Sequence, residues 1–275
     1  MADRDRSGKK STPMREKDLR VAIIAQCRAM NALGLNQGTA GNISARLDGA
    51  MLITPSAIPY HQMRPEMLAT MPLGGEYGAW SGRYKPSTEW RFHLDIMRAR
   101  DDIGAIVHCH ATYATALAML HKPIPAAHYM IALFGGPSVR CTAYAPYGTK
   151  ELSDLAVAGL EGRQGVLLGN HGMIATGATL DEAMWRASEL ETLARMYYLA
   201  LAAGRPVILS DDEVMRTVER FKSYGRGPAA EALAPALPKK ARAKKKVGAK
   251  TKARAGAARK AGAKKKASPR ARSRS

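Results

Sequence analysis

The segment Ala105-Ile106-Val107-His108-Cys109-His110 constrains this chain more than any other, because an apolar run ends there in two histidines one residue apart. Read as a strand, it alternates its side chains, so His108 and His110 project together while Cys109 faces the packed side. Two imidazoles side by side at a strand end are half of a metal site. A tetrahedral Zn²⁺ site needs at least one more ligand and, when catalytic, keeps one position open. His171 is the natural third ligand, since Gly169-Asn170-His171-Gly172 follows the apolar run Gly165 to Leu168. Glu89 can add a carboxylate.

The other elements follow from periodicity and punctuation. Leu19, Ile23, Cys27, Met30 and Leu33 recur at helical spacing from Glu16, with Gly34 as the stop. The small-residue loop Gly38 to Ser44 leads into short strands over Ile43 to Leu47 and Met51 to Thr54, joined by Asp48-Gly49, a strong hairpin signal. Nothing bulky in that loop blocks its N–H groups from an anion, although it also reads simply as a tight entry into a strand. Met67 to Pro72 is expected to add a strand, and the Gly-rich stretch Gly74 to Lys85 an exposed loop.

Pro86-Ser87-Thr88-Glu89 is expected to open a helix to about Arg100, with Trp90, Leu94 and Met97 on its buried side. Ser87 and Thr88 suit such a start as caps, and a helix N-terminus also suits a phosphate. Further on, Ala111 to His121 reads as a helix, Val139 to Thr142 as a strand, and Thr149 to Leu160 as a helix. Met173 to Thr176 is extended, Leu180 to Ala203 is a long helix, and Asp211 to about Lys222 is the last. Strands and helices are interspersed with a hairpin and no regular βαβ repeat. The pattern favours a three-layer α/β/α domain with a mixed central sheet.

Charge divides the chain. The 275 residues carry a net charge of +20, but residues 238–275 hold 17 of the 43 Lys and Arg and no acid. The first 237 residues therefore hold the remaining 26 basic against 23 acidic residues, only +3. The body is not a basic nucleic-acid-binding fold. Lys, Arg, Ala and Gly dominate the tail, which has too few large apolar side chains to offset its ordering entropy and is expected to be disordered. It reads equally as a segment that binds nucleic acid or another polyanion and as a solvated appendage. Residues 1–14 read as a disordered extension and 226–237 as a linker. Cys27, Cys109 and Cys141 are scattered without a C-x-x-C spacing, so a reducing cytoplasm is the simplest setting. No apolar run reaches the roughly 20 residues of a membrane span, and the N-terminal region lacks the apolar core of a secretory signal.

Seven motifs occur together and in order: Gly41-Asn42-Ile43-Ser44, Leu52-Ile53-Thr54-Pro55-Ser56, Pro86-Ser87-Thr88-Glu89-Trp90-Arg91-Phe92-His93, Ile106-Val107-His108-Cys109-His110, His128-Tyr129-Met130-Ile131, Asn170-His171-Gly172 and Phe221-Lys222-Ser223-Tyr224-Gly225. With them, residues 15–225 resemble the class II aldolase/adducin family, and within it the L-fuculose-1-phosphate aldolases. The resemblance implies the family's α/β/α head fold with a largely antiparallel sheet. It implies that His108, His110 and His171 hold one Zn²⁺ per subunit, and that Glu89 is the catalytic carboxylate and also a metal ligand when substrate is absent.

Gly41 and Asn42, Ser56 and Ala57, and Ser87 and Thr88 match the phosphate-binding segments. Tyr129 matches a tyrosine that acts on the aldehyde side from a neighbouring subunit, and Tyr224 one that closes over the site. A homotetramer with active sites at subunit interfaces is implied. Ala57 departs from the family's usual Gly and Thr88 from its Ser.

The activity implied is cleavage of a ketose 1-phosphate such as L-fuculose 1-phosphate to dihydroxyacetone phosphate and an aldehyde such as L-lactaldehyde. Cleavage leaves an enediolate, whose charge a divalent ion stabilises as a Lewis acid. A pentulose-phosphate 4-epimerase or a methylthioribulose-phosphate dehydratase would use the same scaffold. A non-catalytic adducin-like protein would not need the complete histidine and glutamate set. His61, His93 and His121 read as surface or packing residues, with His93, one turn after Glu89, also placed to orient it. His128 is placed to set the position of Tyr129.

Overall fold

One sheet of eight strands carries the fold, in the spatial order β3-β2-β1-β4-β8-β7-β6-β5. The computed structural model describes residues 15–222. Its elements are α1 (Glu16–Ala32), β1 (Asn42–Leu47), β2 (Ala50–Ile53), β3 (Ala69–Pro72), α2 (Trp90–Ala99), β4 (Ala105–Cys109), α3 (Thr112–Met119), β5 (Ile124–Pro125), β6 (Ser138–Cys141), α4 (Lys150–Gly159), β7 (Gly165–Leu168), β8 (Gly172–Gly177), α5 (Leu180–Ala203) and α6 (Asp211–Phe221), with 3-10 turns at Pro65–Met67 and Tyr129–Phe134. All pairings are antiparallel except β6 with β7.

Period-2 alternation sorts the strand residues into two cores. Ile43, Ala45, Leu52, Ala105, Val107, Cys109, Met173 and Ala175 face α1, α3 and α5. Met51, Ile53, Ile106, Val166, Leu168 and Ile174 face α2 and α4. Each fully buried large apolar side chain contributes roughly 1.5–3 kcal/mol. Central β4 is thus clamped from both sides. Cys109 faces the packed side as expected, and burial pushes its thiol up to about 12.

The three layers and the largely antiparallel sheet agree with the sequence expectation, and local differences have physical reasons. The Asp48-Gly49 turn forms with positive φ at both residues (34° and 76°), the geometry of a tight hairpin. Leu33 follows the end of α1 and is exposed, because the chain turns away at Gly34 before that position can face the core. β3 begins at Ala69 because the 3-10 turn takes up Pro65–Met67.

α2 begins at Trp90, four residues later than expected, since Pro55 and Pro86 form an isolated β-bridge and Ser87 N–H donates to Thr54 O. Trp90 is only partly buried, and Phe92 and His93 occupy the α2 core instead. β5, hidden between two prolines, was not expected. The loop at 74–85 is exposed in part but tied down, with the Tyr77 ring 5.2 Å from that of Trp90 and its hydroxyl donating to Asp95. No helix among the described residues is long and apolar enough to cross a membrane. The expectations for residues 1–14, the linker and the basic tail lie outside the described residues.

Candidate metal centre

The C-terminal end of β4 meets the start of β1 and the β7–β8 turn at the strand ends in the middle of the sheet. β1 pairs antiparallel with β4, with Asn42 opposite His108, and β8 flanks β4 on its other side with Ile174 opposite His108. His110 lies just past the strand rather than in it, where Asn36 Oδ1 accepts its backbone N–H. The two backbones approach so closely at Gly41 that a Cβ there would lie 2.7 Å from His108 O. Glu191 on α5 accepts the N–H groups of Tyr113 and Ala114, capping α3 and anchoring the chain beyond His110.

His171 rides on the turn between β7 and β8. Asn170 takes a positive φ of 53°, which asparagine tolerates better than most residues. The His121 Nε2–H donates to Asn170 Oδ1, so His121 supports this turn. Gly172 leaves room for the imidazoles: a Cβ there would sit 2.7 Å from both Cys109 O and His110 Cδ2.

The three histidines form a T-shaped cluster, with ring centroids 4.9–5.1 Å apart and candidate ligand nitrogens all within 4.8 Å of one another. Glu89, at the N-cap of α2, closes it: Oε2 lies 3.2 Å from His108 Nε2 and Oε1 lies 3.1 Å from His171 Nε2. His108 Nδ1–H donates to Met173 O at 2.9 Å, leaving a bare lone pair on Nε2. His108 Nε2, His110 Nε2 and Glu89 Oε1 are buried and have no hydrogen-bond partner. Buried acceptors without donors are costly. A divalent cation supplies what all of them lack, and this donor set suits it.

Protonation states agree. Burial pushes His110 down to about 4, and its neighbours His108 and His171 push the same way against the opposing pull of Glu89, so its imidazole is a neutral ligand at neutral pH.

The residues expected to bind phosphate fall into two groups. The Pro55–Pro86 bridge brings the turn bearing Ser56 and Ala57 against the turn bearing Ser87 and Thr88. Ser87 Oγ accepts the Glu89 N–H, no side chain caps α2, and Thr88 is exposed. Ala57 has φ of 58°, a conformation that glycine adopts more readily than alanine. Gly41 and Asn42 lie at the start of β1, but the Asn42 side chain is engaged with Glu89 rather than turned to solvent. Tyr129 stands apart in the second 3-10 turn, half-exposed, its ring beside His128 and Phe221; His128 Nδ1 accepts the Met130 N–H and so shapes this turn. Tyr224 lies outside the described residues.

A three-histidine group that could hold a metal ion, with Glu89 beside it, sits at the strand ends of a three-layer α/β/α fold. The family model "Class II Aldolase and Adducin N-terminal domain" matches residues 21–198, and the chain belongs to this family. It is 49% identical over 207 residues to a 5-methylthioribulose-1-phosphate/5-deoxyribulose-1-phosphate aldolase of Rhodospirillum rubrum, covering 75% of this chain and 92% of that one. It is 44% identical over 213 residues to an L-fuculose phosphate aldolase of Escherichia coli, covering 77% and 98%. A solved L-fuculose 1-phosphate aldolase superposes with TM-score 0.72 at 40% identity, covering 77% of this chain and all of the other.

Proposed function

We propose that the protein is a metal-dependent lyase that cleaves a ketose 1-phosphate between C3 and C4, giving dihydroxyacetone phosphate and an aldehyde. The observation that carries this reading is the convergence of three imidazoles and the Glu89 carboxylate, in which His108 Nε2, His110 Nε2 and Glu89 Oε1 are buried without a hydrogen-bond partner. Relatives named for both fuculose phosphate and methylthioribulose phosphate are aldolases, which favours cleavage over epimerisation or dehydration. Both kinds of substrate share the phosphorylated three-carbon end, and L-fuculose 1-phosphate, yielding L-lactaldehyde, is the one we favour.

His108, His110, His171 and Glu89 would hold Zn²⁺, which when bound supplies Lewis-acid stabilisation of enediolate charge. The chain's own residues do the rest. The uncapped start of α2 and the facing turns at Ser56-Ala57 and Ser87-Thr88, with the Gly41-Asn42 backbone, grip the phosphate and fix the reacting carbons. The C4 hydroxyl gives up its proton to the Glu89 carboxylate through the site's hydroxyl groups or solvent, the C3–C4 electron pair stays with the three-carbon fragment, and the protonated Glu89 passes that proton to C3, which returns it to the carboxylate form. Products and substrate balance without a redox partner. Tyr129, from a neighbouring subunit of a homotetramer, serves the aldehyde oxygen, and Tyr224 closes the site. The setting is cytoplasmic, and the tail at 238–275 is a polyanion-binding appendage.

The test is dihydroxyacetone phosphate release from L-fuculose 1-phosphate, 5-deoxyribulose 1-phosphate and 5-methylthioribulose 1-phosphate, with bound metal quantified in the same sample. Release that stops on chelation and returns with Zn²⁺ is expected. Full activity after thorough chelation, or no release from any of the three, overturns the reading.

A further inference from the structure

Behind Glu89 lies a buried chain of polar groups reaching away from the metal side. Asn42 Nδ2 donates to Glu89 Oε2 at 2.9 Å, the Asn42 Oδ1 meets His93 Nε2 at 2.5 Å, and His93 Nδ1 meets Ser44 Oγ at 2.7 Å. All four side chains are buried, His93 and Ser44 completely. The match is geometric. Asn42 and Ser44 are two apart on β1 and share a face, while Glu89 and His93 are four apart and share a side of α2.

The charge on Glu89 dictates every donor and acceptor in this chain. A carboxylate only accepts, so the Asn42 NH₂ must face it, and Oδ1 is left facing His93. Oδ1 can only accept, so His93 carries its proton on Nε2. Nδ1 is then bare, and the Ser44 hydroxyl must donate to it. Reversing any member sets two acceptors against each other in a water-free interior, at a cost of about 1–3 kcal/mol for the group left unsatisfied.

We propose that Ser44, His93 and Asn42 form a neutral positioning relay that holds the Glu89 carboxylate at the metal centre, with His93 locked as the Nε2–H tautomer. The proposal rests on the assignment of Glu89 to the reaction. Burial is also the first cause that pushes His93 down to about 3, with His108 adding to it and Glu89 opposing, so the ring stays neutral. The Asn42 amide, with both ends committed, serves the carboxylate, and any phosphate contact at this position falls to the backbone.

The test compares His93→Gln, whose amide N–H can replace the Nε2 donor, with His93→Leu, which fills space without a donor. In full-length zinc-loaded protein, His93→Leu is expected to lose about 10–100-fold in kcat, with KM for the ketose 1-phosphate changed little and zinc affinity reduced. His93→Gln is expected to recover most of both. A ¹⁵N-histidine spectrum of the wild type, with the His93 signal identified by its loss in His93→Gln, should show the Nε2–H form. Equal losses in the two variants, or an Nδ1–H or doubly protonated His93, overturns the relay. If His93→Leu does not fold, the wild-type tautomer and Ser44→Ala, expected to lower zinc affinity, still decide. The spectrum and zinc affinity need no turnover, so they separate failure of the relay from failure of the proposed reaction.

Discussion

The two sides of Glu89 are built on opposite principles. On the side of β1, Asn42, His93 and Ser44 satisfy one another through a closed set of buried hydrogen bonds. On the other side, His108, His110 and Glu89 Oε1 present buried lone pairs to one another with no donor between them. Folding completes the first side and leaves on the second a group of histidines that could hold a cation. The difference teaches that the carboxylate is aimed by the protein, so that the metal need not supply its orientation.

The strongest challenge to this comparison is Glu89→Gln. It keeps the volume but replaces one carboxylate oxygen by an NH₂ and removes the charge and the exchangeable proton site, and kcat should fall by about 10²–10⁴. A loss below tenfold in a stopped assay of dihydroxyacetone phosphate release would remove Glu89 from the chemistry.

Gly172→Ala attacks the open side without replacing any of the converging side chains. Its Cβ would lie 2.7 Å from the Cys109 carbonyl and the His110 ring, and backbone cannot give way cheaply. Zinc affinity by competition with a chromogenic chelator should fall about 10–100-fold, while the donor–acceptor chain at His93 is unaffected. Unchanged affinity would show that the ring cluster is not held by packing.

Acid probes the closed side. His93 has a folded pKa near 3, below the usual 6.5, so between these values the unfolded chain binds more protons than the native one. Stability from this group is present above about pH 6.5 and is lost as pH falls towards 3, at up to about 1.4 kcal/mol per pH unit. Urea unfolding of the chelated protein across this range should show a steeper slope for wild type than for His93→Gln. Parallel slopes would mean that His93 is not buried neutral.

Ala57→Gly gives the smallest effect. Relieving a φ of 58° at an exposed alanine should stabilise the fold by about 1 kcal/mol. Thermal unfolding would show a higher midpoint, and a lower one would argue against the turn geometry at Ala57.

Much of this was legible in the sequence where the code is local. The 3.6-residue period marked α1 and α5, the Asp48-Gly49 pair marked its hairpin, and the histidine spacing and glycine-flanked His171 marked the three imidazoles that converge. Boundaries failed where tertiary contacts override propensity. Pro86 looks like a helix start, yet its bridge to Pro55 holds 86–89 extended or turned, so α2 begins at Trp90. Trp90 looked like a core residue by size, but Arg91 covers its ring 4.7 Å away and Phe92 takes the interior position.

His93 shows the limit most clearly. One turn from Glu89, it was readable as an orienting residue, but its partners Asn42 and Ser44 lie 51 and 49 residues away. By itself the sequence determined which side chains could serve as ligands and which faces of strands and helices they would share, because both follow from fixed local periods. Only the tertiary structure decided that Asn42 serves the carboxylate and that Met173 O sets the His108 tautomer 65 residues distant. Donors and acceptors are assigned only when strands and helices distant in the chain exclude water between them.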